Sequence, residues 1–488
     1  MPLEEIKKTR EEKISALQKD GVNPYPPTSA RTYEIGEALG CFDELMKEKT
    51  ELVLVGRVVL KREHGGSTFF HFVDTTGRMQ GYAKKDVLGE DVYKKFIDLY
   101  DVGDVVEVSG KLFLTKKGEK TLEATRIALL AKSLRPLPEK WHGLTDTEER
   151  FRKRYLDLIM NPEARERFTV RSALIRSLRD FFVSAGFLEV ETPILQTIPG
   201  GALAKPFKTR LETLNLDLYL RVAPELYLKR LLVGGFERVF EIGRCFRNEG
   251  MDKDHNPEFT MLEAYAAYKD YEWLMVFTEQ VFQHLARDVF RKDRPVLTFG
   301  GNEVSFIAPW PRRDLNDLVK EHTGLDFWDN SQGEYLAKCK ELGIIVEKTP
   351  SKTALFDELF KKVARPKIQN PTFVINHPLE LSPLAKTHRS DPRKVERFQL
   401  IVGGMEVVNA FSELNDPAEQ RKRFEAQEKE RTTGDAEAHR MDEDYIEALE
   451  YGMPPAAGLG IGIDRLARLF TDSSSLREVL LFPIMKPR

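Results

Sequence analysis

Cysteine is scarce in this sequence. The 488 residues include three, Cys41, Cys245 and Cys339, and these lie far apart. Such spacing excludes a disulfide framework and the closely paired cysteines of a zinc site. No run of about 18 apolar residues occurs, so we expect no membrane-spanning helix. The residues Met1 to Glu5 are polar and acidic, unlike a signal peptide. The sequence therefore predicts a cytoplasmic protein without membrane contact.

An excess of charge of one sign is also absent. Lys and Arg together number 75 and Asp and Glu number 78, which gives a formal net charge of -3. This balance does not indicate a nucleic-acid partner, but it is an average over domains and excludes none. The length predicts roughly two to four domains, with ample chain for a large core.

Turn residues divide the first third of the chain. Residues 1–50 contain a charged helical arm, for which a solvated surface helix and a basic element that contacts nucleic acid are both open. Residues 51–133 contain five short strands separated by Gly-containing turns, with one helical segment, Asp91–Tyr100, between the third and the fourth. This order is typical of a five-stranded OB barrel. The Pro-rich residues 134–147 are interpreted as a linker.

Residues 148–488 alternate between helical and strand patterns, so the predicted fold class is α+β. Within them, residues 292–370 contain predicted helices at Arg313–His322 and Ser351–Val363 but lack the charged motifs found on either side. We interpret this stretch as a helical insertion.

The first group of residues that indicates chemistry is Phe240–Glu249 and His255–Tyr265, predicted as two strands joined by a charged loop. Alternate residues of a strand share a face. Arg247 and Glu249 would therefore lie on one face with the small Gly243 and Cys245, which leaves room for a ligand. The facing side of the second strand would carry Phe259, Met261, Glu263 and Tyr265. A carboxylate in such a row is costly in a plain core, so the row indicates a binding site, although an exposed amphipathic strand is the alternative.

A second group follows the same alternation. Asn409, Phe411 and Glu413 would share one strand face, on which an aromatic ring and a carboxylate can hold an aliphatic chain that ends in an ammonium group. Glu406 is out of phase with this face and could join it only through a β-bulge.

A third group is the glycine-rich stretch 458–468. Gly458, Gly460 and Gly462 alternate, so one strand face would carry no side chains and a flat ring could approach the backbone. Arg465 follows at the predicted start of a helix, where it could meet a phosphate. The stretch has no Gly-Lys-Ser/Thr and is not a Walker loop.

Together these groups resemble motifs 2 and 3 of the class II aminoacyl-tRNA synthetases, and Arg171–Leu195, with Pro193, resembles motif 1. The placement of an OB barrel before the catalytic domain is similar to the domain order of subclass b. Several strings resemble its lysine-specific family: Ile198–Ala202, Ala223–Tyr227, Phe246–Gly250, Met261–Tyr265 and Phe411–Asp416.

The resemblance implies a catalytic domain built on an antiparallel sheet flanked by helices, with motif 1 at about 171–195, motif 2 at about 238–265 and motif 3 at about 456–485. It implies ATP-dependent attachment of L-lysine to tRNA(Lys) through a lysyl-adenylate, with Mg²⁺ as cofactor and a homodimer as the assembly. The OB barrel would bind the anticodon.

Site residues follow from the same resemblance. Arg247 and Arg465 would be catalytic. ATP would contact Arg247, Glu249, His255, Phe259, Glu406, Asn409 and Arg465. Lysine would contact Gly201, Glu225, Arg247, Glu263, Tyr265, Asn409, Phe411 and Glu413. The anticodon would contact Phe69, Gln80 and Glu119. The carboxylates also fit a cationic side chain on charge alone, and an aspartate pocket would need cations instead.

One position departs from the family pattern. The family uses two glutamates to hold magnesium, and here Glu406 matches the second whereas Gln399 stands at the first. An amide oxygen can ligate Mg²⁺ but contributes no charge, so fewer or more weakly bound ions are expected. Two alternatives stay open: another subclass b synthetase or a protein-lysylating relative, and a non-catalytic OB protein that binds single-stranded nucleic acid.

Overall fold

A computed structural model describes residues 2–138, 144, 146–202, 204–290, 296–346, 350–432 and 440–487, without the side chains of 290 and 430–432. The chain forms two compact units, Met1–Thr145 and Asp146–Arg488. Residues 139–143 and 145 of the predicted linker, and 292–295 and 347–349 of the predicted insertion, lie outside the described residues.

The first unit contains a closed five-stranded barrel with strand order β1-β2-β3-β5-β4. The strands are β1 Leu52–His64, β2 Ser67–Val73, β3 Arg78–Lys84, β4 Val105–Leu114 and β5 Lys120–Ala131, and the helices are α1 Leu3–Lys19, α2 Ile35–Gly40, α3 Phe42–Glu48, α4 Lys85–Leu88 and α5 Glu90–Leu99. The predicted OB barrel is therefore confirmed, with the helical segment between its third and fourth strands. The sequence predicts the first strand at Leu52–Val59, but β1 runs five residues further because it pairs with β2 up to His64 and Ser67.

Alternation along the strands builds the barrel core. In β2 the inward side chains are Thr68, Phe70 and Phe72, which are fully buried. The N-terminal arm adds to this core through Leu17, Ile35, Ala38, Phe42 and Leu45. Helix α1 is otherwise largely exposed. The arm therefore packs as part of the first unit.

The second unit is built on an eight-stranded sheet of order β14-β15-β16-β17-β18-β11-β10-β6. Its strands are β6 Leu188–Glu189, β10 Arg238–Phe246, β11 Glu258–Ala267, β14 Arg312–Asp314, β15 Thr372–Ile375, β16 Arg397–Val402, β17 Met405–Ser412 and β18 Ala456–Gly462. Only the two edge pairings, β14 with β15 and β6 with β10, are parallel. Small sheets are formed by β7 Leu195–Gln196, β8 Lys208–Leu211 and β9 Leu216–Leu220, and by β12 Val296–Phe299 and β13 Asn302–Ser305.

Helices flank this sheet and bury its apolar face, as expected for the α+β class. They are α6 Thr147–Arg152, α7 Arg154–Met160, α8 Pro162–Ser184, α9 Glu225–Val233, α10 Tyr271–Phe290, α11 Leu315–Thr323, α12 Gln332–Glu341, α13 Lys352–Leu359, α14 Pro417–Thr432, α15 Glu443–Glu450, α16 Ile463–Phe470 and α17 Leu476–Val479, with short 3₁₀ turns at Glu212–Leu214, Arg365–Lys367 and Leu379–Leu381. The main core joins side chains of α8, α10 and α16 to those of the central strands. None of the described helices is both long and apolar enough to cross a membrane.

The predicted helical insertion at 292–370 is too wide. Residues 296–305 form the hairpin of β12 and β13, and Arg312–Asp314 joins the main sheet, so these residues are not helical. Helices α11, α12 and α13, with a π-helical turn at Phe360–Ala364, enclose a small core of their own. Among the described residues of this stretch, the helical part therefore lies within 315–367.

Candidate active site

A cavity of about 320 Å³ lies over the middle of the main sheet. Its walls include these predicted site residues: Gly201, Glu225, Arg247, Glu249, His255, Phe259, Glu263, Tyr265, Glu406, Asn409, Phe411 and Arg465. The structure thus brings together side chains that are up to 264 positions apart in sequence, from Gly201 to Arg465. Two predicted residues, Gln399 and Glu413, do not line the cavity.

The register of three strands sets the floor of this cavity. Strand β18 lies between β11 and β17, and Gly460 pairs with Glu263 on one side and Asn409 on the other. Gly458 pairs in the same way with Tyr265 and Phe411. Side chains of β11 and β17 therefore lie on both sides of the β18 glycines. These glycines form a strip without side chains, as the sequence predicted.

The three glycines of this strip do not serve one purpose. A Cβ atom at Gly460 or Gly462 would meet its nearest neighbours at 3.6 and 3.8 Å, which is ordinary van der Waals contact, and both glycines line the cavity. A Cβ at Gly458 would collide with the Glu413 carboxylate and the Tyr265 ring. Gly458 therefore makes room for protein side chains, whereas Gly460 and Gly462 leave room for a ligand.

The prediction for Arg247 and Glu249 is wrong in its geometry. Strand β10 ends at Phe246, and both residues lie in the loop that leads to β11, where the backbone N–H of Arg247 donates to the Pro257 carbonyl at 2.8 Å. Gly243 does not line the cavity, and its missing Cβ instead accommodates the Arg221 guanidinium. Arg247 and Glu249 still reach the cavity, but from a loop rather than from a strand face.

Cationic and aromatic groups gather at one end of the cavity. The Arg247 guanidinium lies 5.0 Å from the centre of the Phe259 ring. Arg465, in the first turn of α16, donates to the Glu406 carbonyl at 3.0 Å and lies 3.4 Å from His255 Nε2. His255 Nδ1 lies 3.0 Å from the Asp252 carboxylate, and the His255 side chain is about half exposed. This end can hold a polyanion with an attached flat ring.

Carboxylates gather at the other end. Glu225, Glu263 and Glu413 are buried, and the Tyr265 hydroxyl donates to Glu263 Oε2 at 3.0 Å. Burial, together with the nearby Glu225 carboxylate, raises the pKa of Glu263 to about 8. Glu413 follows β17 directly and lies behind the cavity wall, against Gly458. This end is suited to a cationic group, which would restore the charge on Glu263.

Two cations beside the acidic end are not among the predicted site residues. Lys229, on α9, is fully buried between Glu225 and Glu413. Arg397, on β16, lines the cavity and donates to Asn409 Oδ1 at 2.9 Å. The spacing of Glu225 and Lys229, four apart on a predicted helix, was a usable signal for an ion pair. Nothing in the sequence indicated that Lys229 would reach Glu413.

Glu406 joins the site through a β-bulge, as its position out of phase with Asn409 on the strand predicted. The pairing of β16 with β17 shifts between Leu400 and Ile401, which leaves Val407 as the extra residue. Glu406 consequently faces the cavity on the same side as Asn409. Gln399 Nε2 donates to Glu406 Oε2 at 3.1 Å. Among the described residues no group of three or more His, Cys, Asp or Glu side chains is arranged to hold a metal ion.

The thiol of Cys245 has no catalytic environment. Cys245 is fully buried, and burial raises the pKa of its thiol to about 12. It is therefore neutral near pH 7 and a poor nucleophile.

In the first unit, Phe69 and Gln80 lie on the outer face of adjacent barrel strands. Phe69 pairs with Tyr82, and their rings stack at 4.6 Å, whereas its neighbours Phe70 and Phe72 are in the core. Gln80 accepts a hydrogen bond from Thr121 at 2.8 Å. Glu119 is exposed in the turn before β5. The pair of half-buried rings offers a stacking surface beside polar groups.

Comparison with known proteins agrees with this arrangement. Residues 146–486 match the family model for class II tRNA synthetases (D, K and N), and residues 52–130 match that for the OB-fold nucleic acid binding domain. The chain is 50% identical to a lysine–tRNA ligase of Carboxydothermus hydrogenoformans, covering 100% of this chain and 99% of that protein. It is 49% identical to the lysine–tRNA ligase of Pelotomaculum thermopropionicum (100% and 96% covered) and 45% to that of Thermosipho africanus (99% and 97%).

Substitution of the glycine strip tests its two purposes. Gly458→Ala should destabilise the second unit by about 1–3 kcal/mol, because the added methyl group overpacks Glu413 and Tyr265. Gly460→Ala is the matched control and should cost less than about 1 kcal/mol, since its methyl group would make only ordinary van der Waals contacts. Urea unfolding followed by tryptophan fluorescence measures both, because Trp273, Trp310 and Trp328 lie in this unit. Equal stability of the two variants would contradict the distinction.

Proposed function

Because the chain belongs to the lysine branch of the class II tRNA synthetases, we propose that it attaches L-lysine to tRNA(Lys) with the use of ATP. The proposal is carried by one observation: a single cavity has a buried carboxylate cluster at one end and the cations Arg247 and Arg465 at the other. One end suits the ammonium groups of lysine and the other suits a triphosphate.

Lysine is the proposed amino acid because of the charge and shape of the acidic end. Glu263 and Glu413 would meet the ε-ammonium group, Glu225 and Gly201 the α-amino group, and Arg247 and Asn409 the carboxylate. Phe411 and Tyr265 would contact the aliphatic chain. Support comes from Glu413 Oε1, which is buried and has no hydrogen-bond partner among the described residues. A buried oxygen in this state calls for a donor, and a ligand ammonium would supply one.

Two transfer steps make up the proposed reaction. The lysine carboxylate oxygen attacks the α-phosphorus of ATP, the bond to the pyrophosphate breaks, and lysyl-adenylate forms. A terminal ribose hydroxyl of the tRNA then attacks the lysyl carbonyl and AMP leaves. Neither step needs a side-chain nucleophile.

Catalysis would consist of positioning and charge neutralisation. Arg247 would bind the reacting carboxylate and the α-phosphate, and Phe259 would stack on adenine, with Arg465 on its other side. Glu249 would contact the adenine amino group, and His255 and Arg465 the outer phosphates. Support comes from the short separation of His255 and Arg465 and from the absence of side chains on Gly460 and Gly462, which line the cavity.

Magnesium is the proposed cofactor. Glu406 would provide the protein carboxylate, and Gln399 would act through its amide oxygen or only orient Glu406. This set fits the ion, since Mg²⁺ in nucleotide sites is commonly held by one or two carboxylates and the substrate phosphates. Bound Mg²⁺ would neutralise phosphate charge.

The barrel is the proposed anticodon-binding element, through stacking on Phe69 and hydrogen bonds to Gln80 and Glu119. A homodimer is the proposed assembly, supported by exposed apolar side chains at Val183, Leu188, Ile194 and Leu195 in and after the motif 1 helix. The cytoplasm is the proposed location, supported by the three free cysteines.

Screening of ATP–pyrophosphate exchange against all amino acids separates this function from its alternatives. Exchange with lysine alone is expected. Exchange with asparagine or aspartate would indicate another subclass b synthetase, and no exchange would favour a non-catalytic binding protein. Lysylation of tRNA(Lys) rather than of protein excludes the protein-lysylating alternative.

The two proposed sites can be separated by substitution. Arg247→Ala should lower ATP–pyrophosphate exchange by about 100-fold or more, because it removes a cation that binds the developing charge. Phe69→Ala should leave exchange unchanged and raise the KM for tRNA(Lys) by roughly tenfold, the usual cost of a lost base stack. Near-normal exchange by the first variant, or equal loss of both steps by the second, would refute the respective role.

Lysine binding should release protons near neutral pH. Glu263 has a pKa of about 8 in the free pocket, so it is mostly protonated at pH 7, and an ammonium ligand favours its charged form. The affinity for lysine should therefore rise as the pH increases toward about 8 and level off above it. Titration calorimetry in two buffers of different ionisation enthalpy should detect close to one proton released at pH 7. Glu263→Gln should bind lysine more weakly and release fewer protons than wild type; an unchanged proton count in that variant would rule out Glu263 as the source.

The amide at position 399 should alter the magnesium requirement. In Gln399→Glu a second carboxylate faces Glu406, so half-maximal ATP–pyrophosphate exchange should require less Mg²⁺, by about threefold or more. The variant leaves Asn409 unchanged, which pairs with position 399 on strand β17 and lines the cavity. Identical Mg²⁺ dependence of the two proteins would show that Gln399 does not influence the metal.

A further inference from the structure

Lys229 is an internal lysine beside the proposed lysine site. Its side chain is fully buried, and its Nζ atom lies 2.6 Å from Glu225 Oε1 and in direct contact with Glu413 Oε2. The same Nζ atom lies 5.3 Å from the centre of the Phe411 ring. Lys229 does not line the cavity, so it stands behind the wall that a ligand would touch.

Lys229 joins two carboxylates that come from separate parts of the chain. Glu225 begins helix α9, one turn before Lys229, whereas Glu413 follows strand β17. Among the described residues no other side chain or backbone N–H is a hydrogen-bond donor to either carboxylate group. Glu225 therefore presents its carboxylate directly to the cavity, whereas Glu413 holds its carboxylate just behind Gly458, and one cation is shared between the two groups.

Lys229 is the cation in direct contact with the acidic end, and it offsets one of its three carboxylates. Glu225, Glu263 and Glu413 carry three negative charges when ionised, and Lys229 carries one positive charge. The remaining two negative charges equal the two ammonium groups of one lysine molecule. Without Lys229 the buried cluster would hold one uncompensated carboxylate, which would take up a proton instead.

Electrostatics keep this lysine charged. Burial alone would lower the pKa of the Lys229 ammonium, but the adjoining carboxylates of Glu225 and Glu413 raise it above the usual value for lysine. The phenol of Tyr445, on α15, is the third titratable group near it. The two carboxylates thus favour the charged form of Lys229.

On the basis of the function proposed above, we propose that Lys229 is a positioning residue that fixes the Glu225 and Glu413 carboxylates for the two ammonium groups of the lysine substrate. It acts through these two side chains and does not touch the substrate. Its charge compensates one carboxylate of the cluster, and its position sets where the other oxygen of each group points. Its loss should therefore weaken lysine binding in particular, rather than ATP binding or the chemical step.

The test compares Lys229→Met, Lys229→Gln and Lys229→Arg in the full-length protein. KM values for L-lysine and for ATP, with kcat, are measured by ATP–pyrophosphate exchange. We expect Met and Gln to raise the KM for lysine by about tenfold or more, as for loss of a charged hydrogen bond, with the KM for ATP within twofold of wild type. Arg keeps the charge and should recover part of the loss, although its planar group does not match the ammonium position.

Arg230→Met is the matched control on the same helix. Arg230 pairs with Asp442 at 3.1 Å, partly exposed and away from the cavity. Its loss removes an ion pair of α9 but should leave the KM for lysine within twofold of wild type. Circular dichroism and thermal unfolding of all four variants record any general loss of structure.

The KM values of these variants decide whether Lys229 is a positioning residue. A raised KM for lysine in the Gln variant, partial recovery in the Arg variant and no change in Arg230→Met support the positioning role. If the Met variant does not fold, the comparison of Gln with Arg is read alone. A folded Gln or Met variant with an unchanged KM for lysine overturns the role, as does an equal rise in the KM values for lysine and ATP. Absence of lysine-dependent exchange in the wild-type protein would instead refute the proposed function itself.

Discussion

The site depends on the position of one strand that has no side chains on its inner face. Strand β18 separates β11 from β17, and its pairing with both fixes which residues of those strands face each other across the cavity. Shifting β18 by one residue would turn its glycines away and fill the cavity floor with Leu459 and Ile461, which are now buried in the core. The core and the cavity are thus opposite faces of the same strand, and neither can change register without the other.

Charge is distributed along the cavity in a way that separates two kinds of ligand. The acidic end is enclosed by packed elements of the second unit and contains buried groups, so its carboxylates interact strongly with each other and with Lys229. The cationic end contains Arg247, His255 and Arg465, and His255 is half exposed. Such a division suits a small amino acid that is desolvated completely and a nucleotide that stays in part hydrated.

Much of this arrangement could be predicted from the sequence because alternation on a strand is a local property. The face of β11, the faces of Asn409 and Phe411, and the bare strip of β18 all follow from a period of two residues. The end of β10 could not be found in this way, since its last ladder pair is Phe246 with Glu258, Arg247 begins the loop, and a loop conformation has no periodic signal. The predicted helical insertion includes too many residues for a related reason. Arg312–Asp314 becomes a strand only by pairing with β15, sixty residues later. Lys229 was missed because Glu413, nearly two hundred residues further along, decides its role.

The ion-paired link from Glu225 through Lys229 to Glu413 has a consequence for how this pocket can change during evolution. Residues that share one buried network do not contribute independently, so substitutions among the three have non-additive effects. A chain that replaced only Glu413 by a neutral residue would leave part of a buried cation uncompensated, and one that replaced only Lys229 would leave two carboxylates without a donor. A descendant that accepts a different amino acid must therefore pass through intermediates that are worse than either end point, unless several of these positions change together. The link acts as a barrier that protects the identity of the bound amino acid against single mutations.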